Sequence, residues 1–316
     1  MKNIFFLVVL ALLSFKVSVS GQNDPQFSQY MFCPESYNPS VLANYTAINL
    51  VGMYRQQWVG IPNAPKTFFA TANMPFNAFL NKKQGVGIAF VNDNFGIFEN
   101  ESVNLQYALQ FKLGDGSLST GLNIGYIEQT IAGDSVRIVQ SDYHDISGDL
   151  AIPKQSVSDV AADVGLGVMY SYANYYVGLS VLHLFQPTLD LEEYVTSYIG
   201  RSAYLVGGYD FPLKNIRYVL KPSVLLKSDF ISWQTDLSVR LEKDEKYWLG
   251  ISWRLQDAII IYGGLNLLNG LFVGYSYDLS TSRIIAYSSG SHEIVLRYTV
   301  SLGKKKLNKY KSVRVL

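Results

Sequence analysis

The sequence predicts an all-β protein, a transmembrane antiparallel β-barrel of about fourteen strands, with an irregular N-terminal segment and a basic C-terminal tail. Three observations carry that expectation. Runs of about ten residues alternate apolar and polar side chains, the period of a strand with one greasy face and the length of a tilted membrane strand. Charge is sparse at 16% and tyrosine plentiful at 23 residues, against a globular norm of about 25% charged. Beyond the N-terminus no stretch approaches about 18 consecutive apolar residues, so no helical span is expected; membrane strands escape that test because only alternate residues need be apolar.

The chain opens with Lys2, an apolar run from Ile4 to Leu13, and small residues ending Ser18-Val19-Ser20-Gly21. That order is a secretory signal peptide, residues 1–21, leaving Gln22 as the mature N-terminus. Residues 22–45 follow, aromatic and polar together. Prolines at 25, 34 and 39 keep them from forming a long helix or a central strand. Such a segment packs in a barrel lumen, lies across its mouth, or stays a disordered leader.

The barrel is expected over 46–302. Strand candidates lie near 46–57, 66–76, 85–92, 102–113, 118–130, 159–172 and 174–184, then 202–211, 216–227, 231–242, 246–256, 258–267, 270–280 and 291–302. The alternation is clearest in Val103, Leu105, Tyr107 and Leu109 against Ser102, Asn104, Gln106 and Gln110. It is as plain in Tyr275, Tyr277 and Leu279 against Ser276, Asp278 and Ser280. The strand runs near 202–211 and 258–267 alternate poorly and rest on position. Links taken alternately sort into a short set (114–116, 173, 212–215, 269–270) and a set holding the long ones near 131–158, 185–201 and 281–290. Short periplasmic turns and longer outer loops are the habit of outer-membrane barrels. The predicted location is therefore the outer membrane, with both termini periplasmic and lipid as the first partner.

After Gly303 comes a basic tail, 303–316, with Lys304, Lys305, Lys306, Lys309, Lys311 and Arg314 and no acidic residue. Two readings stay open. It is a solvated tail touching anionic headgroups, or a docking peptide with Tyr310, Val313, Val315 and Leu316 as apolar anchors.

Little in the sequence suggests catalysis. His144, His183 and His292 are the histidines, none at HExxH spacing, and there is no GxSxG or Walker loop. Ser291 and His292 are adjacent, so on a strand they point to opposite faces and cannot pair as nucleophile and base. A single cysteine, Cys33, excludes an intramolecular disulfide framework and a multi-cysteine metal site. Asp142, Asp145 and Asp149 make one loop acidic without a calcium-loop spacing. No cofactor is expected, and the near-neutral charge gives no argument for nucleic acid. Lumen-facing Arg240, Arg254 and Arg297 leave a diffusion channel as a rival reading.

Three blocks carry a resemblance. The first is Asp24-Pro25-Gln26-Phe27-Ser28-Gln29-Tyr30-Met31-Phe32 with Tyr37-Asn38-Pro39. The second is Tyr54-Arg55-Gln56-Gln57-Trp58-Val59-Gly60 with Ala64-Pro65. The third is Gly274-Tyr275-Ser276-Tyr277-Asp278 with Gly290-Ser291-His292-Glu293. Together they resemble the PorP/SprF family of the type IX secretion system of Bacteroidetes, with departures at Cys33, Asn63 and Ser40-Val41-Leu42-Ala43. The resemblance implies a non-enzymatic outer-membrane barrel serving export of proteins with C-terminal sorting domains. Its partners would be components of the periplasmic lipoprotein ring and the secreted proteins themselves. It also implies either a core role tying the membrane to that ring or a partner role accompanying a surface adhesin in gliding motility. Arg55 and Trp58 are expected at the end of the first strand, and Asp278, Ser291, His292 and Glu293 are expected to fix the last outer hairpin.

Overall fold

The computed structural model describes residues 24–76, 82–133, 155–192, 195–215, 217–267 and 270–301. The signal peptide, the acidic loop residues Asp142, His144, Asp145 and Asp149, and the tail residues 304–316 lie outside them.

Strands dominate. They are β1 (Ile48–Gln56), β2 (Lys66–Phe76), β3 (Gln84–Phe95), β4 (Phe98–Leu113), β5 (Gly116–Ala132), β6 (Ser156–Tyr172) and β7 (Tyr175–Leu182). There follow β8 (Thr188–Glu192), β9 (Val195–Tyr198), β10 (Ser202–Tyr209), β11 (Phe211–Pro212) and β12 (Tyr218–Ser228). Last come β13 (Trp233–Lys243), β14 (Tyr247–Arg254), β15 (Ala258–Asn266), β16 (Leu271–Ser280) and β17 (Ser291–Val300). Chain neighbours pair antiparallel throughout, β7 passes to β10 and β10 to β12, and β1 meets β17 from Ile48↔Val300 to Gln56↔His292. The result is a closed barrel of 14 strands. Closure leaves no unpaired edge, which is what lets a sheet sit in lipid.

The period of two sorts the side chains as the sequence predicts. On β4, Leu105 and Tyr107 face outward and are exposed, while Asn100, Ser102, Asn104 and Gln106 are buried inward. On β14, Leu249, Ile251 and Trp253 face outward while Ser252 and Arg254 are buried. An apolar outer belt over a polar bore is the arrangement of a membrane barrel. Among the described residues, no helix is long and apolar enough to cross a membrane.

Two features differ from the sequence reading. Strands β4, β5 and β6 run on past the predicted 102, 130 and 159 to Phe98, Ala132 and Ser156. The ladder continues between them, with Phe98 opposite Ile131 and Ile131 opposite Val157, although the simple alternation has faded there. The link near 185–201 is not all loop. It contains the β8–β9 hairpin, whose Leu189 and Leu191, with Ile199, bury against Ile127 and Ile131.

Call the end where β1 begins and β17 finishes the short-turn end, and the other the long-loop end. The second holds the 183–201 and 281–290 links, but also tight turns such as Gly96-Ile97. The core lies inside the bore, where residues 24–45 run as irregular chain with 3-10 turns at Tyr30–Phe32, Pro34–Ser36 and Pro39–Asn44. Pro34 and Pro39 open two of these turns, where a missing N–H costs nothing. The prolines that forbid a strand thus fit the segment to its path.

Candidate functional site, a plug held along the bore

The N-terminal segment fastens to the wall at four levels. Nearest the long-loop end, Asp24 meets His183, just after β7, at 2.7 Å, and takes a hydrogen bond from Tyr204 Oη at 2.5 Å. Lys227 Nζ donates to the Asp24 carbonyl at 2.7 Å, and the other ring nitrogen of His183 lies 3.0 Å from Asp163. Burial works against charge on Asp24, yet the facing His183 and then Lys227 hold its carboxyl below the usual carboxylate range. Burial likewise opposes charge on His183, and Asp24 with Asp163 outweighs it, pushing the imidazole up to about 10. The imidazolium clamped between two carboxylates is therefore the resting form.

A second level lies under the long-loop end on the wall of β1, β13, β14, β16 and β17. Arg55 lies 2.8 Å from Asp278 and 3.4 Å from Glu293. Arg254 lies 3.2 Å from Asp278 and 3.0 Å from Asp236. Into this lattice the segment inserts Ser28, whose hydroxyl donates to Asp278 at 2.6 Å and accepts from Arg55 at 2.7 Å. The backbone N–H groups of Ser28 and Gln29 both donate to Glu293, at 2.8 and 2.7 Å. All five ionic side chains are buried. Each is of inward parity on its strand, and closing the barrel brings ends far apart in sequence together. Charges removed from water persist only when paired and hydrogen-bonded, and here the plug supplies part of that pairing.

Below this, Phe32 packs on Trp248 and Phe272 with centroids 4.3 and 4.7 Å away, while the Arg240 guanidinium lies 4.8 Å over the Phe32 ring. Arg297 covers Phe272 in the same manner, at 4.5 Å. The lumenal arginines named from the sequence are thus occupied by acids and rings.

Toward the short-turn end, Asn38 accepts from Ser40 N–H at 3.0 Å and donates to the Val168 carbonyl at 3.2 Å. Asn44 accepts from Gln110 and Ser119 at 2.7 and 2.9 Å. The wall makes room for this turn with glycines. A Cβ on Gly85 would strike the Leu42 carbonyl, and one on Gly121 the Ser40 amide nitrogen. The segment then turns out through Tyr45 into β1.

Most of the predicted motif residues meet at this plug. Asp24, Gln29, Tyr30, Asn38, Pro39, Arg55, Asp278 and Glu293 are buried in it or against it. Asp278 and Glu293, expected to fix the last hairpin, grip the N-terminal segment instead. Ser291 and His292 stay outside the lattice. Ser291 Oγ accepts from Trp58 N–H at 3.0 Å, and His292 meets Tyr275 Oη at 2.6 Å on the outer face. Trp58 (φ +49°) and Gly60 (φ +103°) shape the β1–β2 link that Pro65 closes. Tyr277 donates to the Ser289 carbonyl at 2.8 Å, and Pro25 lines the bore. The sequence reading also had the lumenal arginines pair with Asp236 and Glu293, and Arg254 does meet Asp236. It gave Ser28 no role beyond its place in the first block and missed Asp163, Tyr204 and Lys227; Asp163 was legible as a charge at inward parity, but its partner was not.

The start of β1 and the end of β17 share one end of the barrel, and the segment before β1 runs back through the bore, so Asp24 lies toward the opposite end. Among the described residues no group of three His, Cys, Asp or Glu side chains is disposed to hold a metal.

The class defined by this geometry is an outer-membrane β-barrel with a plugged bore. Solved outer-membrane proteins are among the structures this chain is similar to. The Ralstonia pickettii toluene transporter TbuX is 9% identical over 90% of this chain and 96% of its own, with a TM-score of 0.50. A Pseudomonas aeruginosa FadL homologue is 10% identical over 90% and 96%, with a TM-score of 0.49. Acinetobacter baumannii Omp33 is 9% identical over 80% and 98%, with a TM-score of 0.47. No individual curated protein sequence matches. The profile of the family described as type IX secretion system membrane protein PorP/SprF matches residues 19–298, and the chain belongs to that family.

Proposed function

We propose that the chain is a non-enzymatic scaffold of the type IX secretion system that ties the outer membrane to the periplasmic lipoprotein ring, with its basic tail as the docking peptide. The observation that carries this reading is the filled bore. A segment fastened from Asp24 to Asn44 occupies the axis along which a solute would travel. A barrel so filled is suited to holding partners at its ends. The tail follows β17 at the short-turn end, the periplasmic side on this reading, and its unbroken positive charge suits an acidic partner surface with salt-sensitive affinity.

Mass spectrometry of what co-purifies from native membranes, with and without residues 304–316, tests it. Ring lipoproteins should be recovered with the whole chain and lost with the tail. Recovery of a secreted adhesin indifferent to the tail would move the partner surface to the long-loop end, where the β8–β9 hairpin and the tall β4–β6 wall stand. That adhesin reading is the second one. Steady conductance of the intact protein in a planar bilayer would overturn the scaffold in favour of a channel.

A further inference from the structure

The two halves of the bore offer opposite chemistry. In the long-loop half a cavity lies against β3–β6, lined by acceptor-rich side chains such as Asn100, Asn104 and Gln106. The short-turn half presents donors that have no acceptor.

Those donors are Arg240 and Arg297. Each faces into the bore near the short-turn end of its strand, β13 finishing at Lys243 and β17 at Val300. Arg55 and Arg254, deeper on the same wall, have their carboxylates. Arg240 and Arg297 make no ion pair and no hydrogen bond among the described residues; the Nε of each is buried without an acceptor. Their terminal nitrogens also lack acceptors but are not buried, and both side chains are half-buried overall.

Aromatic rings hold the two guanidiniums in place. Arg240 lies 4.8 Å over Phe32 of the plug and Arg297 lies 4.5 Å over Phe272, with those two rings 4.7 Å apart. Trp248 stacks behind Phe272 at 5.2 Å. A ring covers a flat face and leaves the N–H edges free. The two cations flank one aromatic stack and stand close enough to oppose each other's charge.

Neighbouring acids are committed elsewhere. Glu242 and Asp210 hold Lys221, which stands directly opposite Arg240, at 3.2 and 3.3 Å. Glu35 accepts from Tyr45 and Asn73. The plug does not close over the pair either. From Pro39 to Asn44 it packs on β2–β6, across the bore from β13.

We infer that Arg240 and Arg297 form a phosphate-binding site beneath Phe32, reached from the short-turn end. A guanidinium only donates, and its fork matches the oxygens of a carboxylate or a phosphate. A carboxylate is used up by one fork, whereas a phosphate has oxygens left for a second. An anion between the two arginines also cancels a repulsion that the wall leaves standing. Because Arg240 lies on Phe32, the bound phosphate steadies the plug. The phosphate comes from solution or from a lipid headgroup. The site rests on the wall and the plug alone, whichever way the barrel faces.

The test is calorimetric titration of the full chain, in detergent at constant ionic strength, with inorganic phosphate, glycerol 3-phosphate, dihexanoyl phosphatidic acid and acetate. Saturable binding of a phosphate probe, with acetate weaker by about tenfold or more, supports the site. Phosphatidic acid tighter than glycerol 3-phosphate identifies a lipid source; the reverse identifies a soluble one. R240Q and R297Q should each weaken phosphate binding by about tenfold or more, with β-sheet circular dichroism unchanged. R297K keeps the charge and loses the fork, so it should fall between R297Q and the parent. The unfolding midpoint of the parent should rise with phosphate, and that of the glutamine variants should not. Phosphate binding no tighter than acetate, no saturable binding, or folded glutamine variants that bind like the parent would overturn the proposal.

Discussion

The two walls of the bore are built from the same strand geometry and do opposite things. On β13–β17 and β1, inward positions carry Arg55, Asp236, Arg254, Asp278 and Glu293, and the plug's Ser28 and Phe32 complete them. On β3–β6 they carry Asn100, Ser102, Asn104, Gln106 and Asn123; Ser102, Asn104 and Asn123 bond one another, Asn100 accepts from Gln129, Gln106 donates to the plug's Glu35 carbonyl, and oxygens are left over. A charged wall must be neutralised locally, because an unpaired buried ion costs several kcal/mol, so it binds its plug permanently. An amide wall tolerates an unfilled acceptor at far lower cost, so it can face a cavity. Ionisation thus marks the side that grips Ser28 and Phe32, while Pro39–Asn44 packs on β2–β6 toward the short-turn end.

The largest effect should come from breaking the sealed side. Arg55→Ala leaves Asp278 and Glu293 short of a cation and should cost about 3–5 kcal/mol. The readouts are the unfolding midpoint in detergent and conductance in a planar bilayer, where release of the plug should appear as new current. An unchanged midpoint with no current would mean that Arg254 alone holds the lattice.

Next in size is the upper clamp. His183→Gln keeps hydrogen-bonding capacity but removes the charge between Asp24 and Asp163, at about 1.5–3 kcal/mol. The wild-type clamp carries a pH signature. His183 is raised to about 10 from the ordinary imidazole value of 6.5, so its stabilisation is complete below about pH 6.5 and is lost as pH rises through about 10. Asp24 is lowered, so its share is present above the ordinary carboxylate range and persists as pH falls until its own depressed pKa is reached. Proteolytic access to the segment near Asp24 should therefore rise in alkali, and H183Q should abolish that rise.

The barrel itself was legible, since alternation along β4, β13, β14 and β16 follows from one greasy neighbour and one wet one. The β8–β9 hairpin was not, because Thr188–Glu192 alternates over only five residues and what it buries against comes from β5. The site was half legible. Asp24, Arg55, Asp278 and Glu293 stood out as residues, yet their meeting depends on β1 closing on β17 and on a segment folded back through the bore. Neither closure nor threading leaves a local pattern. The expectation that Asp278 and Glu293 serve their own hairpin failed for that reason: sequence neighbours are visible in advance, and a Ser28 some 250 residues away is not.

A smaller effect tests the short-turn end. Gly121→Val puts a branched side chain where a Cβ already collides with the plug at Ser40, and overpacking of this kind costs about 1–3 kcal/mol. The plug should shift while the barrel ladder survives, giving a lower midpoint with β-sheet circular dichroism unchanged.

The smallest effect belongs to the open wall and completes the contrast. Ser102 is buried on β4, and its hydroxyl accepts a long bond of 3.4 Å from Asn104. Ser102→Ala removes an acceptor from a wall that already has acceptors to spare, and Asn104 keeps Asn123 as a partner. The cost should be under about 1 kcal/mol, the low end for a neutral hydrogen bond. Set beside Arg55→Ala, at a more deeply buried position on the charged wall, the difference in unfolding midpoint measures what ionisation adds. Equal losses at the two positions would mean that tight packing, and not charge, divides the bore into a sealed side and an open one.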